Sequence, residues 1–386
     1  MTRSAAAPFS GGESPCLKSV IFSDHEPMGT VPLRSDLATI PGYRAGRPAR
    51  IGPGGRSFKL SSNEWPWPVE PAVVEAIVAA AAGGNRYPSA TGADLISRIA
   101  QQLSVPEGCI VVGGGSISLV QLLVQTATDP GDAVVFAWRS YEAYPIVVPV
   151  CRARPVPVPL RDHAHDLPAM AEAVHRTRAR MVVVCSPNNP TGTAVAAADL
   201  DEFIAAVPTE CLVVLDEAYI EFHDGPGRPD GMALVLRHPN VVVLRTFSKA
   251  YGLAGMRVGY CLADARIADA LRRIALPFTV SAVAEAAAVA ALDAWPRQRE
   301  RVAEIAVRRN AFADGLARAG FDVPDSRANF VWLPLGEHAA DLDDALRAAG
   351  ISARTFPGEG VRITIGEEEA MASALTVAQA WKQARA

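Results

Sequence analysis

Met181-Val182-Val183-Val184-Cys185 runs directly into Ser186-Pro187-Asn188-Asn189-Pro190-Thr191-Gly192, then into a helix-patterned stretch, Ala197–Ala206, and then into the apolar run 212–215, which ends on Asp216-Glu217-Ala218-Tyr219. Short apolar runs without alternation are strands covered on both faces, and a Pro/Asn/Gly cluster after one is a turn. Strand, turn, helix and strand in that order predict a parallel pair joined by a crossover helix. Outward from this unit the pattern recurs, with apolar runs at 109–112, 133–136, 241–244 and 258–262 and helix-patterned segments at 118–126 and 166–175. The prediction is an α/β fold built on one large, doubly wound, mainly parallel sheet.

After about residue 280 the pattern changes. A long charged helix (297–319), a strand (329–333), a helix (340–349), two short strands (351–355 and 361–365) and a terminal helix from Glu367 follow. They predict a smaller C-terminal α+β domain of roughly 100 residues.

The 386 residues are 49% hydrophobic, enough for one large core or two. Lys and Arg number 37 against 41 Asp and Glu, a net charge of −4, with no long basic run, so neither nucleic acid nor a membrane surface is expected as a partner. Cys16, Cys109, Cys151, Cys185, Cys211 and Cys261 are scattered without a C-x-x-C pair. That pattern fits reduced thiols of a cytoplasmic protein, not a disulfide framework or a zinc site. Residues 1–30, rich in Ser, Gly, Pro and Ala, lack the apolar core of a signal peptide and predict a flexible tail, with Met28 as an alternative start. The alanine-rich stretch 275–291 is broken by Pro277 and Glu285 and predicts a packed helix, not a membrane span.

In open α/β sheets, ligands bind beyond the carboxyl ends of the strands, where loops and helix N-termini converge. There the sequence places Asn189, then Asp216 with Tyr219, and after 241–244 the run Arg245-Thr246-Phe247-Ser248-Lys249. A buried carboxylate is costly without a cation, and an amine in an apolar pocket loses its proton and becomes nucleophilic. Pyridoxal phosphate answers both needs: its aldehyde takes the lysine, and its pyridine nitrogen meets the carboxylate.

The motifs at 186–192, 216–219 and above all 245–260 (Arg-Thr-Phe-Ser-Lys-Ala-Tyr-Gly-Leu-Ala-Gly-Met-Arg-Val-Gly-Tyr) resemble, in this order, those of the class I/II fold-type I pyridoxal-phosphate-dependent aminotransferases. From about Leu33 to the C-terminus the chain is similar to the histidinol-phosphate aminotransferase group, and more closely to its aromatic-amino-acid aminotransferase branch. The resemblance implies three catalytic residues, Lys249, Asp216 and Tyr219. Lys249 would carry the cofactor and move the proton between the substrate Cα and cofactor C4′, and Asp216 would pair with the pyridine nitrogen. Asn189 and Tyr219 would bond the 3′-oxygen, and Tyr141 would stack on the ring. Ser248 and Arg257 would hold the phosphate, with backbone N–H groups of the turn Gly113-Gly114-Gly115-Ser116-Ile117. Tyr87 would reach the phosphate of the neighbouring subunit's cofactor, so the implied assembly is a homodimer with shared active sites.

On the substrate side the resemblance assigns Arg362 to the carboxylate, with Arg354, Asn63 and Tyr43 around the same anionic end. A planar guanidinium suits that task because it grips a carboxylate through two parallel hydrogen bonds. The implied division is an arm over 31–57 packing on the active site, a large cofactor-binding domain over 58–280 and a small domain over 281–386. No metal is expected, since Asp162-His163-Ala164-His165-Asp166 reads as a solvated turn.

The implied reaction is transamination of an aromatic L-amino acid with a 2-oxo acid such as 2-oxoglutarate. The alternative is a histidinol-phosphate aminotransferase, whose substrate phosphate would use the same arginines. Against it stand Gly115-Ser116-Ile117, where that group commonly has Gly-Ala-Asp, and Trp138-Arg139-Ser140-Tyr141 in place of its Pro-Thr-Tyr version. A threonine-phosphate decarboxylase would share the cofactor residues but release CO₂. A regulator with an aminotransferase-like sensor domain would need a DNA-binding helix-turn-helix that residues 1–30 do not supply.

Overall fold

The computed structural model describes residues 31–43, 46, 48–52 and 55–385. The predicted tail, with Cys16 and Met28, lies outside the described residues. Residues 31–39 carry one 3-10 turn, Ser35–Thr39, beside an Arg34–Asp36 ion pair. All that follows concerns residues 40–385.

A short strand β1 (Phe58–Lys59) precedes the main sheet, which comprises β2 (Ile110–Gly113), β3 (Ala133–Trp138), β4 (Arg154–Pro159), β5 (Met181–Cys185), β6 (Leu212–Asp216), β7 (Val241–Thr246) and β8 (Gly259–Leu262). The strand order is β2-β8-β7-β6-β5-β3-β4. Neighbours pair in parallel except around β8, which is antiparallel to both β2 and β7.

Alternate residues of the central strands enter different cores, as a sheet covered on both faces requires. Val182, Val184, Val213, Leu215 and Val243 pack in one core with helices Ala93–Leu103, Leu167–Thr177, Ala197–Ala206 and Ala282–Asp293. Val183, Val214, Val242 and Leu244 pack in the other with helices Ser116–Ala127, Tyr144–Val150 and Ala265–Ile274. Strand β4, the run Arg-Pro-Val-Pro-Val-Pro, departs from the predicted strand set. Three prolines argue against a central strand, but β4 is the sheet's edge, where missing N–H groups cost no ladder bond on the outer side.

A second, three-stranded antiparallel sheet has the order β11-β12-β9, from β9 (Phe330–Leu333), β11 (Arg354–Phe356) and β12 (Gly360–Thr364). The predicted strand 351–355 is two strands. Its first part, β10 (Ile351–Ser352), pairs in parallel with β1, while its second crosses to β12. This hand-over ties the segment after β1 to the end of β12, where Thr364 N donates to Leu60 O at 3.0 Å.

The alanine-rich stretch forms a helix only over Ala282–Asp293. Pro277 and the left-handed Phe278 (φ 62°) keep 275–281 out of it. Glu285 does not break that helix. Buried, it accepts from Asp94 N and Leu95 N at 3.1 and 3.3 Å, capping the neighbouring helix Ala93–Leu103. No helix among the described residues is long and apolar enough to cross a membrane.

The segment 162–166 is less solvated than predicted. Asp162 and His163 turn in the left-handed region and Asp166 caps helix Leu167–Thr177, but both His165 ring nitrogens are out of water. Burial pushes that imidazole down to about 4, so it stays neutral.

Candidate active site

The carboxyl ends of β5, β6 and β7 deliver Asn189, Asp216 and Lys249 to one cavity of about 170 Å³. Its wall is completed by Ser62 and Asn63 after β1, Tyr141 after β3, and Arg354 and Arg362 from the second sheet. Of the predicted site residues, Tyr43, Ser116, Ile117, Tyr219, Ser248 and Arg257 also line it. Two do not. Gly115 lies behind the wall, and Tyr87 is 85% exposed, stacked on the Phe278 ring at 4.8 Å.

Asp216 is buried, and its carboxylate accepts from the Tyr144 hydroxyl at 2.6 Å and from Ala218 N at 3.2 Å. Among the described residues it has no ion pair. Burial therefore holds its pKa above the ordinary carboxylate value, and the Tyr144 bond offsets part of that. Such a group calls for a cation at the open side of the carboxylate.

Lys249 Nζ points to the carbonyl oxygens of Ser62 and Asn63 at 3.3 and 3.4 Å and lies 5.7 Å from the Tyr219 ring centroid. Burial first, and then the positive field of Arg362, brings its pKa down to about 7. A large fraction of the amine is thus neutral near physiological pH.

A cradle for an anion lies on the other side. Arg257, itself left-handed at φ 53°, donates through Nη1 to Ser248 Oγ at 3.1 Å. Helix Ser116–Ala127 begins beside it, presenting the N–H groups of its first turn. Gly115 permits the approach: its φ is +90°, and a Cβ there would stand 2.4 Å from Arg257 Nη2. Only glycine fits that position.

Arg362 Nη1 donates to Asn189 Oδ1 and Nη2 to Ser61 O at 2.7 Å, while its buried Nε has no partner among the described residues. The predicted Asn63 is the hub of a network. Its Nδ2 donates to Tyr219 Oη at 2.9 Å, its Oδ1 accepts from Thr364 Oγ1 at 3.0 Å, and it stands at φ 54°. Sequence reasoning assigned no role to Tyr144, Thr364 or Glu142. Tyr144 carried a signal: it stands three residues after Tyr141, one turn on at the start of helix Tyr144–Val150, and so faces the same sheet edge. Trp65 and Trp67 pack edge to face at 5.1 Å against the core. Trp138 lines a neighbouring cavity of about 650 Å³, with the Arg139 guanidinium 4.2 Å above its ring.

Comparison with known proteins agrees with this geometry. Residues 56–377 match the family described as Aminotransferase class I and II. The chain is 49% identical to an aromatic amino acid aminotransferase of Thermobifida fusca over 349 residues, 90% of this chain and 97% of that protein. It is 47% identical to one of Streptomyces coelicolor, over 91% and 98% of the two chains. Among solved structures, the histidinol-phosphate aminotransferase of Sinorhizobium meliloti in complex with pyridoxal-5′-phosphate superposes with a TM-score of 0.80 at 31% identity, covering 86% of this chain and 92% of that one.

The residues present fit that cofactor. A buried carboxylate without an ion pair suits a ring N–H⁺, a largely neutral lysine suits an aldehyde, and the Gly115 cradle with Arg257 suits a phosphate. The chain belongs to the class I and II aminotransferases of fold type I and is a pyridoxal-phosphate-dependent aminotransferase.

Proposed function

We propose that the protein transaminates aromatic L-amino acids with a 2-oxo acid such as 2-oxoglutarate. The observation that carries this reading is the near-full-length similarity to proteins named aromatic amino acid aminotransferase, together with one buried guanidinium, Arg362, positioned for a carboxylate. The cofactor, when bound, supplies an electron sink for the bond being broken at the substrate Cα. Lys249 would hold the cofactor and would move the proton from the substrate Cα. The pKa near 7 lets one amine both accept and return that proton. Asp216 would keep the pyridine nitrogen protonated, and the Tyr144 hydroxyl, which donates to Asp216 Oδ2, fixes the orientation of that carboxylate.

Asn189 and Tyr219 would bond the ring 3′-oxygen, and Tyr141 would cover the ring. Ser248, Arg257 and the N–H groups of Ser116 and Ile117 would hold the phosphate, while the Gly115 N–H is donated to Gly113 O at 2.7 Å. Arg362 binds the substrate carboxylate in both half-reactions, with Asn63, Arg354 and Tyr43 near it. We further infer a cytoplasmic homodimer in which Tyr87, exposed in the single chain, reaches the partner's cofactor phosphate. In that reading 58–280 is the large domain and 281–386 the small one.

The test is single-turnover absorbance of the cofactor-loaded protein with phenylalanine and, separately, with histidinol phosphate. Faster conversion by phenylalanine is expected; faster conversion by histidinol phosphate would overturn the aromatic reading in favour of the histidinol-phosphate alternative. Tyr144→Phe is expected to lower turnover roughly tenfold with a change in folding stability of about 1 kcal/mol. Steady-state kinetics beside a urea melt check this, and unchanged turnover would reduce the contact to packing.

A further inference from the structure

Arg354 and Arg362 are direct cross-strand partners in the β11–β12 pair, and both line the active-site cavity. Like charges directly opposite on a sheet repel, and each guanidinium needs its own compensation. Arg362 finds it in neutral groups, the Asn189 side-chain oxygen and the Ser61 carbonyl. Arg354 instead meets a carboxylate: its Nε and Nη2 both donate to Glu142 Oε2, at 3.2 and 2.5 Å. The pair is largely withdrawn from solvent, with the Arg354 side chain 11% and the Glu142 side chain 28% exposed. Glu142 lines the same cavity and directly follows Tyr141, so it stands at the substrate end of the site. Its field reaches Arg362 as well, opposing that of Arg354.

We propose that Glu142 is a specificity-determining residue: by holding Arg354 in an ion pair, it leaves the anion end of the pocket with one net positive charge, matched to an α-carboxylate and mismatched to a phosphate monoester. Two unpaired guanidiniums facing each other across β11 and β12 would suit a dianion, whereas a phosphate brought against Glu142 meets a carboxylate in a poorly screened pocket. Discrimination here works by placing a repulsive group against the wrong ligand. The inference rests on the proposed function of this site and adds to it the residue that sets which anion is accepted.

The experiment uses cofactor-loaded enzyme. It measures KM and kcat for phenylalanine and the competitive constant of histidinol phosphate against it, in the unaltered protein, Glu142→Gln and Arg354→Gln. Glu142→Gln keeps the size and a hydrogen-bonding oxygen while removing the charge. It should tighten histidinol phosphate at least tenfold relative to phenylalanine, and Arg354→Gln should move that ratio the opposite way. Parallel changes for both ligands, or a ratio unmoved in Glu142→Gln, would overturn the proposal and leave the ion pair a structural tie. Should Glu142→Gln fail to load cofactor, Glu142→Ala is read in the same ratio, and loading failure in both would likewise overturn it. Slow turnover of phenylalanine by the unaltered protein would count against the aromatic reading alone, because the Glu142 effect is read as a change in the ratio.

Discussion

Lys249→Ala abolishes turnover. The variant lacks both the covalent anchor of the cofactor and the amine that moves the substrate proton, and the loss should be roughly 10⁴-fold or more, the upper end of what one positioned proton-transfer group supplies. Borohydride reduction followed by intact-mass measurement gives a second readout: cofactor mass on the unaltered chain and none on the variant. Retention of both turnover and added mass would overturn the assignment of Lys249. The unaltered protein carries a related signature. Because the amine sits at about 7 and the neutral form is the nucleophile, cofactor attachment to the cofactor-free protein should accelerate as pH rises through about 7 and then level off. An ordinary lysine, with its pKa of 10.5, would go on accelerating for three more pH units.

Arg362→Ala should lower kcat/KM for phenylalanine by about 10²–10³-fold, chiefly through KM, with cofactor affinity changed only a few-fold. Removing one partner of a buried, hydrogen-bonded charge contact costs about 2–5 kcal/mol, and each 1.4 kcal/mol is tenfold. Its buried Nε has no partner among the described residues, while Nη1 and Nη2 are held by Asn189 Oδ1 and Ser61 O. Steady-state kinetics beside a cofactor titration separate the outcomes. An equal loss of substrate and cofactor binding would make Arg362 structural, holding Asn189 and Ser61 in place.

What was legible in the sequence was what local chemistry writes into contiguous residues. Non-alternating apolar runs marked β5, β6 and β7, and the residues that follow each run marked the sheet edge where Asn189, Asp216 and Lys249 meet. Strand β4 was obscured because its prolines are tolerable only at an edge, and edge position belongs to the sheet as a whole. The break inside 351–355 was hidden for a similar reason. Nothing in Ile351-Ser352-Ala353-Arg354-Thr355 signals that pairing passes from β1 to β12. Glu142 and Tyr144 stand one and three residues beyond the motif Trp138-Arg139-Ser140-Tyr141, but their partners Arg354 and Asp216 lie 212 and 72 residues away, and no spacing rule reaches that far. Glu285 interrupts the apolar run without interrupting the helix, as the packed-helix reading requires, but its second task, capping a helix that begins 192 positions earlier at Ala93, was invisible in the sequence for the same reason.

The tie between Asn63 and Thr364 spans 301 residues of chain. Segments that meet from far apart in sequence carry a loop-closure cost that local contacts do not, and this tie needs β12 to be present. During synthesis, β5, β6 and β7 can assemble their sheet and place Asp216 and Lys249 long before β12 has been made. In the folded chain β12 pairs with β11 and β9, Thr364 engages Leu60 and Asn63, and the segment carrying Ser62 meets the lysine. The reactive amine at Lys249 is thus covered by way of a strand that lies more than a hundred positions later in the chain, and binding competence depends on β12.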